Sequence, residues 1–122
     1  MPLPKALAAI AALGICFSLV ACRSAFVQAD IVNHTGGTVQ LIEVDYPDAS
    51  FGTQQIAPGA TYQYRFKILD SGPLKISFTG FDNKAWTATG PSVHQNQEGK
   101  LVITLDPNGK VDWKPEFSER HQ

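Results

Sequence analysis

Thr61-Tyr62-Gln63-Tyr64-Arg65-Phe66-Lys67-Ile68 is the stretch whose reading decides the fold. Tyr62, Tyr64, Phe66 and Ile68 alternate with Gln63, Arg65 and Lys67, the period of a strand with one face in water and one on a core. On a helix the same residues would scatter around the axis. Fully burying a side chain of this class is worth roughly 1.5–3 kcal/mol, so the aromatic face is expected to point inward. Ahead of the stretch, Ala57-Pro58-Gly59-Ala60 places Pro and Gly where a type II turn needs them. Behind it, Asp70-Ser71-Gly72-Pro73 turns the chain, and Leu74, Ile76 and Phe78 alternate with Lys75, Ser77 and Thr79.

The pattern repeats outward in both directions. Val27, Ala29 and Ile31 alternate with Gln28 and Asp30 before a turn at Asn33-His34-Thr35-Gly36-Gly37, where Asn tolerates and Gly adopts positive φ. Residues 38–46 form the next strand. Val39 and Leu41 share one face while Ile42, Val44 and Tyr46 share the other, which predicts a bulge near Leu41 or burial on both sides. Residues 51–56 read as a short edge strand. Further on, residues 81–84 read as a hairpin loop, 85–89 as a strand carrying Trp86, and 90–99 as the longest loop. Leu101, Ile103 and Leu105 alternate once more. Asp106-Pro107-Asn108-Gly109 is a strong turn, since Asn-Gly favours positive φ at both positions. Val111 and Trp113 lie on the return strand, and residues 115–122 read as a frayed tail.

Seven or eight short strands with turns every 8–12 residues or so predict an all-β, single antiparallel β-sandwich. Tyr64, Phe66, Ile76, Phe78, Leu101 and Ile103 are its expected inward residues. The overall pattern resembles the immunoglobulin-like and transthyretin-like domains of bacterial surface lipoproteins. The stretch 31–68 also resembles small lipoproteins of environmental bacteria for which no activity is known. The resemblance to immunoglobulins does not extend to their Cys…Trp…Cys core.

The N-terminal region has a different character. Lys5 precedes an uncharged apolar run over residues 6–20, too short to span a bilayer as a helix and right for a secretory signal. The run closes on Leu19-Val20-Ala21-Cys22, which resembles the lipobox of bacterial lipoprotein precursors. That resemblance implies cleavage after residue 21, a diacylglyceryl thioether on Cys22, and a mature chain held at a membrane by two or three acyl chains, where one alone binds only marginally. Arg23 stands where the inner-membrane retention signal has Asp, which implies the outer membrane, facing the periplasm or the cell surface. The expected organisation is a signal peptide at 1–21, a lipidated N-terminus and linker at 22–25, the sandwich at 26–114 and the tail at 115–122.

Composition narrows the function. Of 122 residues, 101 remain after the leader; Lys5 leaves with it, so ten basic side chains become nine against eleven acidic. A formal charge of −2 is not the basic stripe of a nucleic-acid binder. No cofactor-cradling glycine loop and no G-x-S-x-G elbow occurs. His34 and His94 both fall in expected loops but lack partners at metal-ligand spacing, so no metal site is expected. Glu43, Asp45 and Asp48 crowd together without the spacing of a calcium loop. Tyr46, Phe51, Trp86 and Trp113 are core candidates or a binding patch. Asn33-His34-Thr35 matches a glycosylation sequon by chance.

These features lead to a non-enzymatic binding or structural module of the envelope, without cofactor. Loops carry binding residues more often than strands do. The candidate segments are 33–37, 46–50 and 90–99, and the candidate residues are Tyr46, Asp48, His34 and His94. A ring and a carboxylate side by side at Tyr46 and Asp48 suit a polar ligand or a basic residue of a partner. The alternative is a small envelope hydrolase or metal-handling domain that uses the two histidines and the Glu43–Asp48 carboxylates.

Overall fold

The computed structural model describes residues 25–119. The leader, Cys22 and residues 120–122 lie outside the described residues.

Eight strands form two four-stranded sheets: β1 (Val27–Asn33), β2 (Val39–Tyr46), β3 (Ala49–Ile56), β4 (Thr61–Phe66), β5 (Gly72–Thr79), β6 (Ala85–Val93), β7 (Gln97–Leu105) and β8 (Val111–Glu119). One sheet has the order β4-β1-β7-β8, the other β3-β2-β5-β6. All neighbours are antiparallel except β1 and β7, which run parallel from Val27 beside Gly99 to Asn33 beside Leu105. The chain is therefore an all-β sandwich, as the alternation predicts, with one parallel pair at its centre.

The core is the set of inward positions on both sheets. Val27, Ala29, Ile31, Phe66, Leu101, Ile103 and Leu105 come from the first sheet, and Val39, Ile42, Val44, Phe51, Leu74, Ile76 and Phe78 from the second. Five of the six expected core residues are buried; Tyr64 is not, at 39% exposed. Its ring lies out over the open side between β3 and β4, stacked on Phe51 with centroids 4.5 Å apart. Tyr62, one turn of the pleat earlier, donates its hydroxyl to the Gly52 carbonyl at 3.2 Å. The two tyrosines thus bridge the edge strands of the two sheets.

The opposite open side, between β6 and β8, is closed by tryptophans. The Trp86 ring lies on Gly109, and the Trp113 ring lies on Gly90; a Cβ on either glycine would collide with the ring. The four aromatics considered together in the sequence therefore separate, Tyr46 and Phe51 toward one side and Trp86 and Trp113 toward the other.

Three boundaries differ from the sequence reading. The tail expected at 115 is strand: β8 continues through Pro115 to Glu119, and Pro115 is tolerated because β8 is an edge strand. The loop expected at 90–99 shrinks to residues 94–96, since β6 reaches Val93 and β7 starts at Gln97. Pro91 again sits on an edge strand, where its missing N–H breaks no ladder. The 46–50 loop is a two-residue turn, with Tyr46 closing β2 and Ala49 opening β3. The bulge near Leu41 is present: pairing of β2 with β5 shifts between Gln40 and Glu43, and Leu41 has φ of 52°.

Candidate functional site

Successive connections alternate between the two ends of the sandwich. The turns 34–38, 57–60, 80–84 and 106–110 gather at the end where β1 finishes; the turns 47–48, 67–71 and 94–96 gather where β1 begins. These are called here the far and near ends. Seven residues of β1 separate them by about 20 Å of strand.

The four candidate residues divide between the ends. Tyr46, Asp48 and His94 are at the near end and His34 is at the far end, so the two histidines do not meet. Tyr46 is half-buried, its ring 4.6 Å from that of Phe66 and 6.1 Å from that of Phe51. Burial, with a smaller contribution from the neighbouring Tyr64 phenol, raises its pKa above the usual 10.0. Tyr46 is thus partly buried and packed against the core. Asp48 is exposed in the tight turn at φ of 71°, and His94 is exposed with its N–H donated to Gln97 Oε1 at 2.9 Å. Among the described residues no group of three His, Cys, Asp or Glu side chains could hold a metal ion.

The far end has a more developed surface. Its base is Asn33, fully buried at the close of β1. The Asn33 amide donates to the Gly37 carbonyl at 2.7 Å and the Ile56 carbonyl at 2.9 Å. Its Oδ1 accepts from Thr35 N–H at 3.0 Å and from Thr35 Oγ1 at 2.7 Å. One side chain therefore ties the 34–38 turn to the end of β3. An amide so fully used inside the protein is no glycan acceptor, which agrees with reading the sequon as chance.

On this base sits a cleft of about 260 Å³ between the β5–β6 hairpin and the β7–β8 turn. Thr35, Phe81, Asp82, Lys84, Trp86 and Asn108 are among its lining residues. Phe81 is 65% exposed, yet its ring rests against Gly37, where a Cβ would strike it. Lys84 Nζ lies 4.8 Å from the Trp86 ring centre, and Gly109 covers that ring too, so Trp86 is held while Phe81 offers a face to solvent. Asp82 Oδ1 accepts from Lys84 N–H at 3.1 Å and fixes the hairpin loop. The cleft thus sets an exposed apolar ring beside a carboxylate and an ammonium.

Phe81 was not among the residues that the sequence marked out. Its signal is weak: Phe81 falls in the stretch 81–84 that reads as a hairpin loop, and a lone aromatic there forms no pattern with its neighbours.

Comparison with known proteins adds the fold and nothing beyond it. No protein-family model and no curated protein matches the sequence. Among solved structures, the chain is similar to an NMR structure of a protein from Eubacterium rectale, at 14% identity and a TM-score of 0.54, covering 73% of this chain and 86% of that one. At that identity the likeness bears on the sandwich alone.

Proposed function

We propose that this chain is a lipid-anchored protein of a bacterial envelope that binds a partner without catalysing a reaction, and that the far end of the sandwich is its binding face. The lipobox-like Leu19-Val20-Ala21-Cys22 supplies the anchor, and Arg23 favours the outer membrane. One observation carries the rest: β1 begins with Val27 at the near end and the Phe81 cleft lies at the opposite one, so an anchor five residues ahead of Val27 would tether the domain by its near end. A surface held away from the membrane by the length of the domain is accessible to an envelope protein or polymer.

The test is site-directed photocrosslinking in cells that make the protein. A photoreactive residue at position 81 is expected to form a specific adduct, and one at position 54 on the β3 edge is not. With the photoreactive residue moved to position 108 of the same cleft, Phe81→Ala should lose the adduct while its melting temperature stays within about 4 °C of the parent, since exposed substitutions rarely exceed about 0.5 kcal/mol. Capture that survives Phe81→Ala but fails in Asp48→Ala would move the binding face to the near end. Capture indifferent to both would remove the binding reading.

A further inference from the structure

We propose that the near end of the sandwich docks on the anionic phospholipid headgroups of the membrane that holds its anchor, through Phe26, Leu69, Arg65 and Lys67. The inference rests on the lipid-anchor reading of Cys22 and adds a second, non-covalent contact to it.

Alternation along β4 places Phe66 and Ile68 inward. Arg65, Lys67 and Leu69 have the opposite parity and are all exposed, Leu69 at 62%. Val27 pairs with Phe66, which brings Phe26 beside Lys67 on the outer face. Phe26 is 37% exposed. The Arg65 guanidinium lies 4.8 Å from its ring centre and Lys67 Nζ lies 5.5 Å from it. The result is a ring held by two cations on long stems, with the exposed aliphatic side chain of Leu69 two residues beyond Lys67. Apolar groups that enter a headgroup layer while cations remain at phosphate level are the pattern of an interfacial contact.

Chain length makes the membrane the occupant. Phe26 is four steps along the chain from Cys22, and an extended chain spans at most roughly 3.6 Å per residue, so Phe26 lies within about 14 Å of the lipid attachment. The headgroup layer on each side of a bilayer is itself about 5–7 Å deep. The patch therefore cannot be far from lipid once the thioether forms. Asp48 stands in a neighbouring turn, Asp70 follows Leu69 in the patch's own turn with its carboxylate accepting from the Ser71 backbone N–H at 2.8 Å, and Glu98 and Glu116 lie on β7 and β8 of the same sheet. Lys100 is drawn to Asp30 at 3.4 Å. The positive surface is thus local to β4 and its continuation, and the attachment is directional: this edge of the near end meets lipid first.

The experiment uses the full chain purified from its own membranes and reconstituted into phosphatidylethanolamine–phosphatidylglycerol vesicles carrying a headgroup spin-label quencher. Intact mass and flotation with the vesicles report the anchor independently. Phe26→Trp and Leu69→Trp are each compared with the parent, whose own tryptophans supply the background. The indole introduced at either position should lose at least half of its emission to the quencher, while that of Phe81→Trp should lose less than a tenth. Leu69→Trp carries the test if Phe26→Trp does not fold. Adding Arg65→Glu and Lys67→Glu to Leu69→Trp should reduce the quenching at least twofold. An acylated, vesicle-bound chain whose indoles at 26 and 69 escape the quencher overturns the docking and leaves the anchor standing. Quenching unmoved by the charge reversals overturns the role of the cations. A chain without acyl mass overturns the anchor reading and the docking with it.

Discussion

Asn33 uses its whole side-chain amide inside the protein, with two donated and two accepted hydrogen bonds. Asn33→Ala would leave the buried Ile56 carbonyl short of a donor, while the Gly37 carbonyl keeps the Thr35 hydroxyl at 3.0 Å. Such a loss costs about 1–3 kcal/mol. We therefore expect Asn33→Ala to lower stability by about 2 kcal/mol, read as a lower urea midpoint at unchanged slope. Asn33→Asp, which keeps the size but cannot donate, should fall nearly as far. The turn at Asn33 was legible from its Asn and Gly residues. The burial of its amide was not, because one acceptor is a backbone carbonyl 23 residues away and backbone leaves no mark in a sequence. Tyr46 offers a second test. Its folded pKa is raised above 10.0, so the folded state holds the phenol proton more tightly than the unfolded chain. That contribution is complete below the unfolded value of about 10 and is lost as pH rises through the folded value. Tyr46→Phe should therefore lose less stability than the parent as pH rises above about 10, measured as melting temperature against pH.

The elements were legible wherever alternation was strict, as in β4, β5 and β7, and less so where an edge intervened. Pro91 and Pro115 were read as loop and tail because proline removes a ladder hydrogen bond; both sit on edge strands, where nothing is lost. Tyr64 was placed inward by parity, which it obeys. Its exposure arises because β4 is also an edge, and the inward face there runs out beyond the core onto Phe51. The reciprocal pairs Trp86 with Gly109 and Trp113 with Gly90 carried a faint signal, since on each of β6 and the β7–β8 return a Trp and a Gly stand four residues apart. The β2 bulge was legible in its reversal of faces, and it holds a testable cost. Leu41 is 61% exposed at φ of 52°, a region that costs a non-glycine residue about 1–2 kcal/mol. Glycine forfeits part of that gain through its freer unfolded chain. Leu41→Gly should still stabilise by about 0.5–1 kcal/mol, and Leu41→Val should destabilise. A loss of stability in Leu41→Gly would show that the leucine side chain packs usefully despite its exposure.

At the scale of the whole molecule, the alternation of turns between two ends turns a sequence position into an orientation. The candidate loops were legible one by one, but which of them share an end depends on the parallel pairing of β1 with β7, and that long-range choice leaves no local pattern. Once it is made, His34 and His94 lie apart, and the start of β1 at Val27 falls at the near end. The anchor itself yields the sharpest prediction. Among the described residues the buried core runs from Val27 to Leu105. Under the lipoprotein proposal, Cys22→Ser should leave the thermal unfolding of this sandwich unchanged while abolishing acylation. The intact mass should lack the diacylglyceryl increment, residues 1–21 should remain attached or the chain be mis-sorted, and the mature membrane-bound form should vanish from fractionated cells. The parent supplies the decisive control. A mature native chain that carries a free, unmodified thiol at Cys22 would end the lipoprotein reading, and with it the assignment of near and far ends to membrane and partner.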